Sequence, residues 1–362
     1  MNNLTSFSSS SEKRGRIRLN RAIRYSLLAA AIMNKKRPRY FSFYLTLFLY
    51  YEFSVLKRKW NGLKGLLVPA ALMISITRQC NLNCMGCYMH AKKPEIEQEL
   101  TFEELLNLTT EAKNLGIFIL VFAGGEPLIR FSNIRSLAVA FPKILMPIFT
   151  NGTIYDNEFV SDCISHPNIL PIISLEGEKA QTDERRGMGV YQKAKTLCSI
   201  LHDAGVLFGC SFTTTSENVY EITSLNFIKD LYSKGCRLFI FVEFVPMYEN
   251  ETLCLSPEKQ TYLSEMIEEI NSTIPVIALK FPGDQEWFSG CLAAGRGFAH
   301  ISPSGSLEAC PASEQSDRNV RNGLANALRS PLFQSIRQSG TLTSEKKGGC
   351  SLVYQEKHGK LR

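Results

Sequence analysis

The sequence predicts an α/β fold built on a parallel sheet. Three observations lead there: six short runs rich in β-branched and aromatic residues, amphipathic helical segments between them, and strand ends that fall repeatedly on polar or glycine turns. Strands that alternate with helices pair in parallel through right-handed crossovers, which leaves a barrel or a doubly wound sheet.

The elements follow in chain order. Leu72 to Thr77 is apolar and forms the first strand. Thr101 to Leu115 sets Leu105, Leu106, Leu108 and Leu115 among Glu and Lys, and its opening Thr101-Phe-Glu-Glu104 resembles a capping box, so a helix is predicted. Ile117-Phe-Ile-Leu-Val-Phe122 is the second strand. The alternation continues through a helix near 132–141, strand 144–149 ending at Thr150-Asn151-Gly152, and a helix near 156–165. Strand 169–175 ends at Glu176-Gly177, and helix 190–204, strand 206–215 and helix 219–233 lead to the strongly apolar strand Arg237 to Val245.

In α/β barrels ligands sit at the carboxyl ends of the strands, so polar residues there are the site candidates. They are Asn151, Ser174, Glu176, Ser211, Thr213, Thr215 and Glu243. Asn151-Gly152 is also simply a good turn, and Ser174 or Thr213 can serve a backbone group. Glu243 interrupts Phe-Ile-Phe-Val-Glu-Phe-Val, where a carboxylate is costly unless paired or at a polar site. It is the candidate that faces substrate and acts in catalysis.

Two loops carry chemistry. Cys80-Asn-Leu-Asn-Cys84-Met-Gly-Cys87 follows the first strand. Three thiolates on one loop can hold three irons of a four-iron cluster and leave the fourth open to a small molecule. A structural zinc site completed by His90, or cysteines buried as small apolar residues, are the other readings. Ala123-Gly124-Gly125-Glu126-Pro127 follows the second strand. Its glycines can take up positive φ and let backbone approach a ligand, while a fixed carboxylate can accept from an ammonium group.

Together, in this order and at this distance, the C-x3-C-x2-C loop and the Gly-Gly-Glu-Pro turn closely resemble the radical S-adenosylmethionine (SAM) enzymes. The resemblance implies a six-stranded partial (β/α)6 barrel, here residues 65–247. It implies a 4Fe–4S cluster on Cys80, Cys84 and Cys87, with SAM chelated at the open iron and cleaved to a 5′-deoxyadenosyl radical that abstracts hydrogen from substrate. Gly124, Gly125 and Glu126, closed by Pro127, then contact SAM. Ser174 and Glu176 match positions that contact the SAM ribose, Arg186 matches an arginine near the SAM carboxylate, and Asn151, Ser211 and Thr213 join them on the cofactor side. One departure is Gly86, since the residue before the third cysteine is commonly aromatic in the superfamily.

Residues 248–362 change pattern. After a helix from Ser256 to Asn271 come Gly290-Cys291-Leu-Ala-Ala-Gly295, Ile301-Ser-Pro-Ser-Gly305, Ala309-Cys310-Pro311 and Gly348-Gly349-Cys350. This resembles part of the SPASM/Twitch extension, which serves auxiliary 4Fe–4S clusters. The likeness stops at Cys350, with no further cysteine up to Arg362, so a second cluster on Cys291, Cys310 and Cys350 and an empty, degenerate domain both stay open. Cys163, Cys198, Cys210, Cys236 and Cys254 lack mutual spacing and read as packing residues. Eleven Cys in 362 residues is too few for a disulfide scaffold, and no secretion signal is evident. An oxygen-sensitive cluster also calls for a reducing cytoplasm.

The basic charge is confined to the start of the chain. The formal net charge is +7, but residues 1–64 hold 14 of the 41 Lys and Arg against Glu12 and Glu52, a net +12 that leaves −5 for the rest. Arg21 to Met33 is a helical pattern, and Tyr40 to Leu56, dense in Phe, Tyr and Leu, lies between Lys35-Lys-Arg-Pro-Arg39 and Lys57-Arg58-Lys59-Trp60. Basic clusters around an aromatic amphipathic segment suit an acidic membrane surface. Packing across the barrel bottom or binding a partner is the competing reading. The apolar run is just under spanning length and contains Glu52. Nucleic acid is not expected, because the aromatics cluster instead of alternating with cations. Residues 1–12, rich in Ser and Asn, are expected to be disordered. With 44% hydrophobic residues the chain can bury one large core with a smaller appendage.

The function expected from the resemblance is radical modification of a peptide or protein side chain, fed by a reducing donor such as a flavodoxin or ferredoxin. Residues 1–71 lack the pattern of a leader-peptide-binding domain. The alternatives are radical modification of a lipid or isoprenoid at the membrane surface, and a cluster-binding protein without catalysis. The expected location is cytoplasmic, peripheral to the membrane.

Overall fold

The computed structural model describes residues 10–92, 97–247, 251–281, 288–343 and 350–357. The chain opens with α1 (Ser10–Met33) and α2 (Pro38–Leu63). There follow β1 (Ala71–Thr77), α3 (Tyr88–Ala91), α4 (Phe102–Leu115), β2 (Ile119–Gly124), α5 (Phe131–Ala140), β3 (Met146–Thr150), α6 (Asn157–Ser165) and β4 (Ile169–Leu175). Next come α7 (Lys179–Arg186), α8 (Val190–Asp203), β5 (Gly209–Thr214), α9 (Val219–Ile222), α10 (Leu225–Ser233) and β6 (Leu238–Glu243). The last third holds α11 (Pro257–Thr273), β7 (Ile277–Phe281), β8 (Phe298–Ile301), β9 (Leu307–Glu308), α12 (Leu324–Ala327), α13 (Pro331–Gln338) and α14 (Ser351–Lys357).

Among the described residues nine strands share one sheet in the order β7-β6-β5-β4-β3-β2-β1-β8-β9. Every neighbouring pair is parallel except β8 with β9. The edges, β7 and β9, do not meet, so the barrel is partial, as expected. The sheet nevertheless exceeds the six predicted strands. β7, β8 and β9 come from residues 248–362, so the sheet does not stop at position 247. Their signals were weak: Ile-Ala-Leu-Lys-Phe carries a lysine in mid-run, and Phe298–Ile301 is a single four-residue strand.

Local chemistry sets the element ends. The capping box of α4 is complete: Thr101 Oγ1 accepts the Glu104 N–H at 3.2 Å and Glu104 Oε2 accepts the Thr101 N–H at 2.8 Å. The helix stops at Gly116, at φ +93°, where a Cβ would lie 2.7 Å from the Ser54 carbonyl oxygen of α2. The single helix predicted over 219–233 is two, broken where the Ser224 side chain accepts the Phe227 N–H and starts α10.

The two faces of the sheet alternate residue by residue. On β4, Ile169, Ile173 and Leu175 belong to the main core with Ala194 and Leu197 of α8, while Leu170 and Ile172 belong to a second core with Tyr44, Leu47, Tyr51 and Val55 of α2. The two N-terminal helices are antiparallel, tied by Arg24 to Glu52 at 2.5 Å and Tyr51 OH to Asn20 Oδ1 at 2.6 Å. α2 crosses the strand starts: Arg37 donates to the Gly205 carbonyl before β5, Arg39 to Ser165 before β4, and Arg58 to Gly116 before β2. The N-terminal segment therefore forms the floor of the barrel. Among the described residues no helix is long and apolar enough to cross a membrane. Of the segment 1–12 expected to be disordered, residues 1–9 lie outside the described residues and 10–12 open α1.

Candidate active site

The cysteine loop leaves the carboxyl end of β1 and is stitched to the glycine turn after β2. Gly125 N–H donates to the Thr77 carbonyl at 2.7 Å and Glu126 N–H to Gln79 at 2.8 Å. This approach demands glycine twice. Gly124 sits at φ +120° with Thr77 O only 2.6 Å from where a Cβ would stand, and a Cβ on Gly125 would collide with the Gln79 carbonyl. Cys80, Cys84 and Cys87 are half-buried and unbridged. Burial pushes the Cys80 and Cys84 thiols up, and the neighbouring thiols add to it, while Arg186 pulls Cys84 the other way. Among the described residues no three His, Cys, Asp or Glu side chains surround a single-ion position, and His90 is exposed. A four-iron cluster does not ask for that geometry, because each thiolate binds its own iron.

Gly86, the residue that departs from the family pattern, takes φ +67° and lies under the Phe244 ring, which a Cβ would meet at 3.1 Å. An aromatic ring thus reaches the loop from the end of β6 instead of from the loop itself.

Glu126 is buried and its carboxylate is engaged from within. It accepts from Thr150 Oγ1 at 2.7 Å, the Leu128 N–H at 3.0 Å and the Asn151 N–H at 2.8 Å. Burial still pushes its carboxyl up. Three of about four acceptor positions are thus filled by the protein, and the carboxylate fixes its own turn to β3 with one position left. Pro127 opens the short turn that follows. Asn151 extends the linkage, its Nδ2 donating to Asn81 Oδ1 of the cysteine loop at 2.9 Å.

The ends of β4 and β5 form a third wall. Ser174 and Ser211 hydroxyls lie 3.3 Å apart on adjacent strands. Glu176, buried, receives Arg185 Nη1 at 2.5 Å and Arg186 Nη2 at 2.6 Å on one oxygen, and the Thr213 N–H at 3.1 Å on the other. Arg185 also donates to Thr213 Oγ1 at 2.9 Å, and its carbonyl accepts the Met85 N–H at 3.0 Å. Burial works against the Arg186 charge, but Glu176 and the sulfurs of Cys84 and Cys87 outweigh it. Glu176 is therefore the anchor that turns Arg186 toward the cysteine loop. Arg185, Asn81 and Thr150 were missed by sequence reasoning. Only the Arg185-Arg186 pair behind a strand-end glutamate offered a signal. At the end of β6 the buried Glu243 accepts from Gln260 Nε2 of α11 at 3.1 Å, so it is a paired carboxylate.

Cys291, Cys310 and Cys350 are half-buried and unbridged. Burial pushes the Cys310 thiol well up, with Cys350 and Cys291 adding to it. Gly348 and Gly349 lie outside the described residues. Between the two groups runs a buried polar chain that the sequence did not reveal. Glu308 pairs with Lys92 and, at 2.7 Å, with His300 Nδ1, and His300 Nε2 lies 2.7 Å from Ser75 Oγ on β1. Burial pushes Glu308 up, but His300 and Lys92 outweigh it and hold the carboxyl below its usual value.

The relatives agree with this geometry. The profile of the radical SAM superfamily matches residues 74–218, and the chain carries a radical SAM domain. It is similar to the Fe-coproporphyrin III synthase of Methanosarcina barkeri, 32% identical over 153 residues that make 42% of this chain and 38% of that one. It is similar over more of its length to the AdoMet-dependent heme synthase of the same organism, 25% identical over 80% of this chain and 89% of that one. The mycofactocin maturase MftC of Mycolicibacterium smegmatis is 25% identical over 48% and 45%. The chain thus spans less than half of the first and third of these relatives. Among solved structures, Streptococcus suis SuiB bound to S-adenosylmethionine shares the fold, with a TM-score of 0.65 at 18% identity over 82% of this chain and 77% of that one. Native anSMEcpe with bound AdoMet does so too, at 0.58 and 17% over 81% and 96%.

Proposed function

We propose that the protein is a radical SAM enzyme that removes a hydrogen atom from a peptide or protein substrate. The observation that carries this reading is the meeting of the cysteine loop, the glycine turn and the Glu176–Arg186 pair at one end of the sheet. The donor set fits a four-iron cluster: three unbridged, half-buried thiols on one loop beside a glycine cradle that admits no Cβ. Cys80, Cys84 and Cys87 would hold it, and together with bound SAM it would supply reductive cleavage of SAM and hydrogen abstraction. Arg186, held by Glu176, sets a positive charge against the thiolates and toward a ligand carboxylate. Gly124 and Gly125 let backbone approach the ligand, and Glu126, Pro127 and Asn151 keep that turn in register. Ser174, Ser211 and Thr213 offer hydroxyls above the floor. Phe244 keeps water off the loop at Gly86. Glu243, oriented by Gln260, holds or takes a proton at a substrate group.

Cys291, Cys310 and Cys350 are the thiols for an auxiliary cluster in a SPASM-like tail. The donor is a small reducing protein of the flavodoxin or ferredoxin kind, and the compartment is the reducing cytoplasm, peripheral to the membrane. A second reading, a tetrapyrrole substrate, is favoured by the similarity to a heme synthase across 80% of the chain. Anaerobic reconstitution, dithionite and SAM test the chemistry: 5′-deoxyadenosine is expected from the wild type and is absent from Cys84→Ala. Failure of the wild type leaves the cluster-binding alternative standing. Uncoupled formation should survive Cys350→Ala. A panel of cysteine- or glycine-rich peptides against iron coproporphyrin III then separates the substrates by which one raises turnover.

A further inference from the structure

We propose that the outer face of α2, with the bend joining it to α1, docks on an acidic lipid bilayer. Leu45, Leu49, Phe53, Leu56, Trp60 and Leu63 recur every three or four residues and so share one side of the helix. All are exposed, Leu49, Phe53 and Leu63 by 61%, 67% and 82%. The buried residues Tyr44, Leu47, Tyr51 and Val55 occupy the other side, against the sheet. From Leu45 to Leu63 this row extends over about 27 Å at helical rise. A solvated surface seldom carries so long a row of large apolar side chains without a partner.

The charge around the row selects the partner. Residues 1–64 carry a net +12, and the one acidic residue of α2, Glu52, is paired to Arg24. At the bend Lys35, Lys36, Arg37 and Arg39 are exposed, and at the far end Lys59 and Lys64 flank Trp60, with the Lys64 ammonium 5.0 Å from the indole centre. The bend also opens onto a cavity of about 250 Å³ whose lining includes Lys35, Lys36, Arg37, His202 and Arg237, a basic recess of headgroup size. Apolar side chains flanked by cations match the acyl boundary and phosphates of an acidic leaflet. Since no described helix is long and apolar enough to cross, the contact is peripheral.

Docking in this way fixes where the active site looks. α2 binds the loops that precede β5, β4 and β2, whereas the cysteine loop, the glycine turn and Glu176 lie at the opposite ends of the strands. The mouth therefore faces water, and substrate arrives from the aqueous side. A lipid dissolved in the same leaflet would lie beneath the floor, which disfavours the lipid substrate considered from the sequence.

This inference is independent of the proposed chemistry, because vesicle binding needs neither cluster nor SAM. The test floats the full chain with phosphatidylcholine vesicles, with and without phosphatidylglycerol. It also follows Trp60 emission in a Trp287→Phe background. Flotation with acidic vesicles, weakened by salt, and a blue shift of Trp60 are expected. Leu49→Glu/Phe53→Glu, checked by circular dichroism, should partition at least about tenfold more weakly, and Lys35→Glu/Lys36→Glu, at an exposed bend where folding is not at stake, should do likewise. A full chain that stays soluble with acidic vesicles overturns the proposal, as does equal flotation of both variants. So does a dimer by light scattering that Leu49→Glu/Phe53→Glu dissolves while no vesicle binding is seen, for then a second copy covers the face.

Discussion

Glu126→Gln separates two roles for the glutamate of the Gly-Gly-Glu-Pro turn. One carboxylate oxygen accepts from Thr150 Oγ1 and the Leu128 N–H, and the other from the Asn151 N–H. A glutamine of the same shape keeps at most the first pair, and its amide then points a donor at the Asn151 N–H. The variant loses one hydrogen bond to a charged acceptor, worth about 1.5–3 kcal/mol, and leaves buried donors unpaired at about 1–3 kcal/mol more. Release from burying a charge offsets part of this, so a net loss of roughly 2–4 kcal/mol is expected. The damage should spread to the cysteine loop, because Asn151 holds Asn81. The assays are denaturant unfolding of the anaerobic protein, iron content after reconstitution, and SAM titration. The structure expects a lower midpoint and poorer iron retention, with SAM affinity falling only as iron does. Unchanged stability and iron with a specific, large loss of SAM affinity would refute the reasoning and restore an ammonium-binding carboxylate.

Three other substitutions test the packing account. Tyr44→Phe should raise Tm, by roughly 1–2 kcal/mol of stability, because the Tyr44 hydroxyl is buried with no hydrogen-bond partner among the described residues; a lowered Tm would contradict this. Glu308→Ala leaves Lys92 and His300 buried without their carboxylate and should cost about 3–5 kcal/mol, while Lys92→Met with Glu308→Leu should recover part of the loss, so additive losses would sink the idea. Glu356 is pushed up to about 7 by burial, from an ordinary value of 4.5. Its folded value lies above its unfolded one, so its contribution is complete below pH 4.5 and fades as pH rises toward 7. Glu356→Gln should flatten that stretch of the stability curve and gain roughly 1–3 kcal/mol at pH 8; an unchanged pH profile would count against the burial argument.

How much could be read in advance depended on range. β4 was legible to the residue because Ile169–Leu175 is apolar throughout and bounded by turns. The cysteine loop and the glycine turn were legible because each is a contiguous motif. α7 was not, since Lys-Ala-Gln-Thr-Asp-Glu-Arg-Arg has no apolar period and its last two residues are held instead by Glu176. The chain Lys92–Glu308–His300–Ser75 was invisible for a different reason. Its partners are up to 225 residues apart, and nothing in a lone buried lysine or histidine names its counterpart. Gly86 shows the limit most clearly: the missing aromatic was evident, but the Phe244 ring that covers the gap comes from just beyond β6.

Buried carboxylates gather at the end of the sheet where the two motifs lie. Glu126, Glu176 and Glu243 are all buried at or just beyond the carboxyl ends of β2, β4 and β6, and each is engaged by guanidinium, hydroxyl or amide donors. The floor end buries Tyr44, Leu47, Tyr51 and Val55 instead. Burying an ion pair is often no more stabilising than burying hydrocarbon of the same shape. If stability were the only demand, both ends could have been apolar. Three compensated carboxylates gathered at one end are what a sheet carries when that end must hold charge in fixed positions around a ligand.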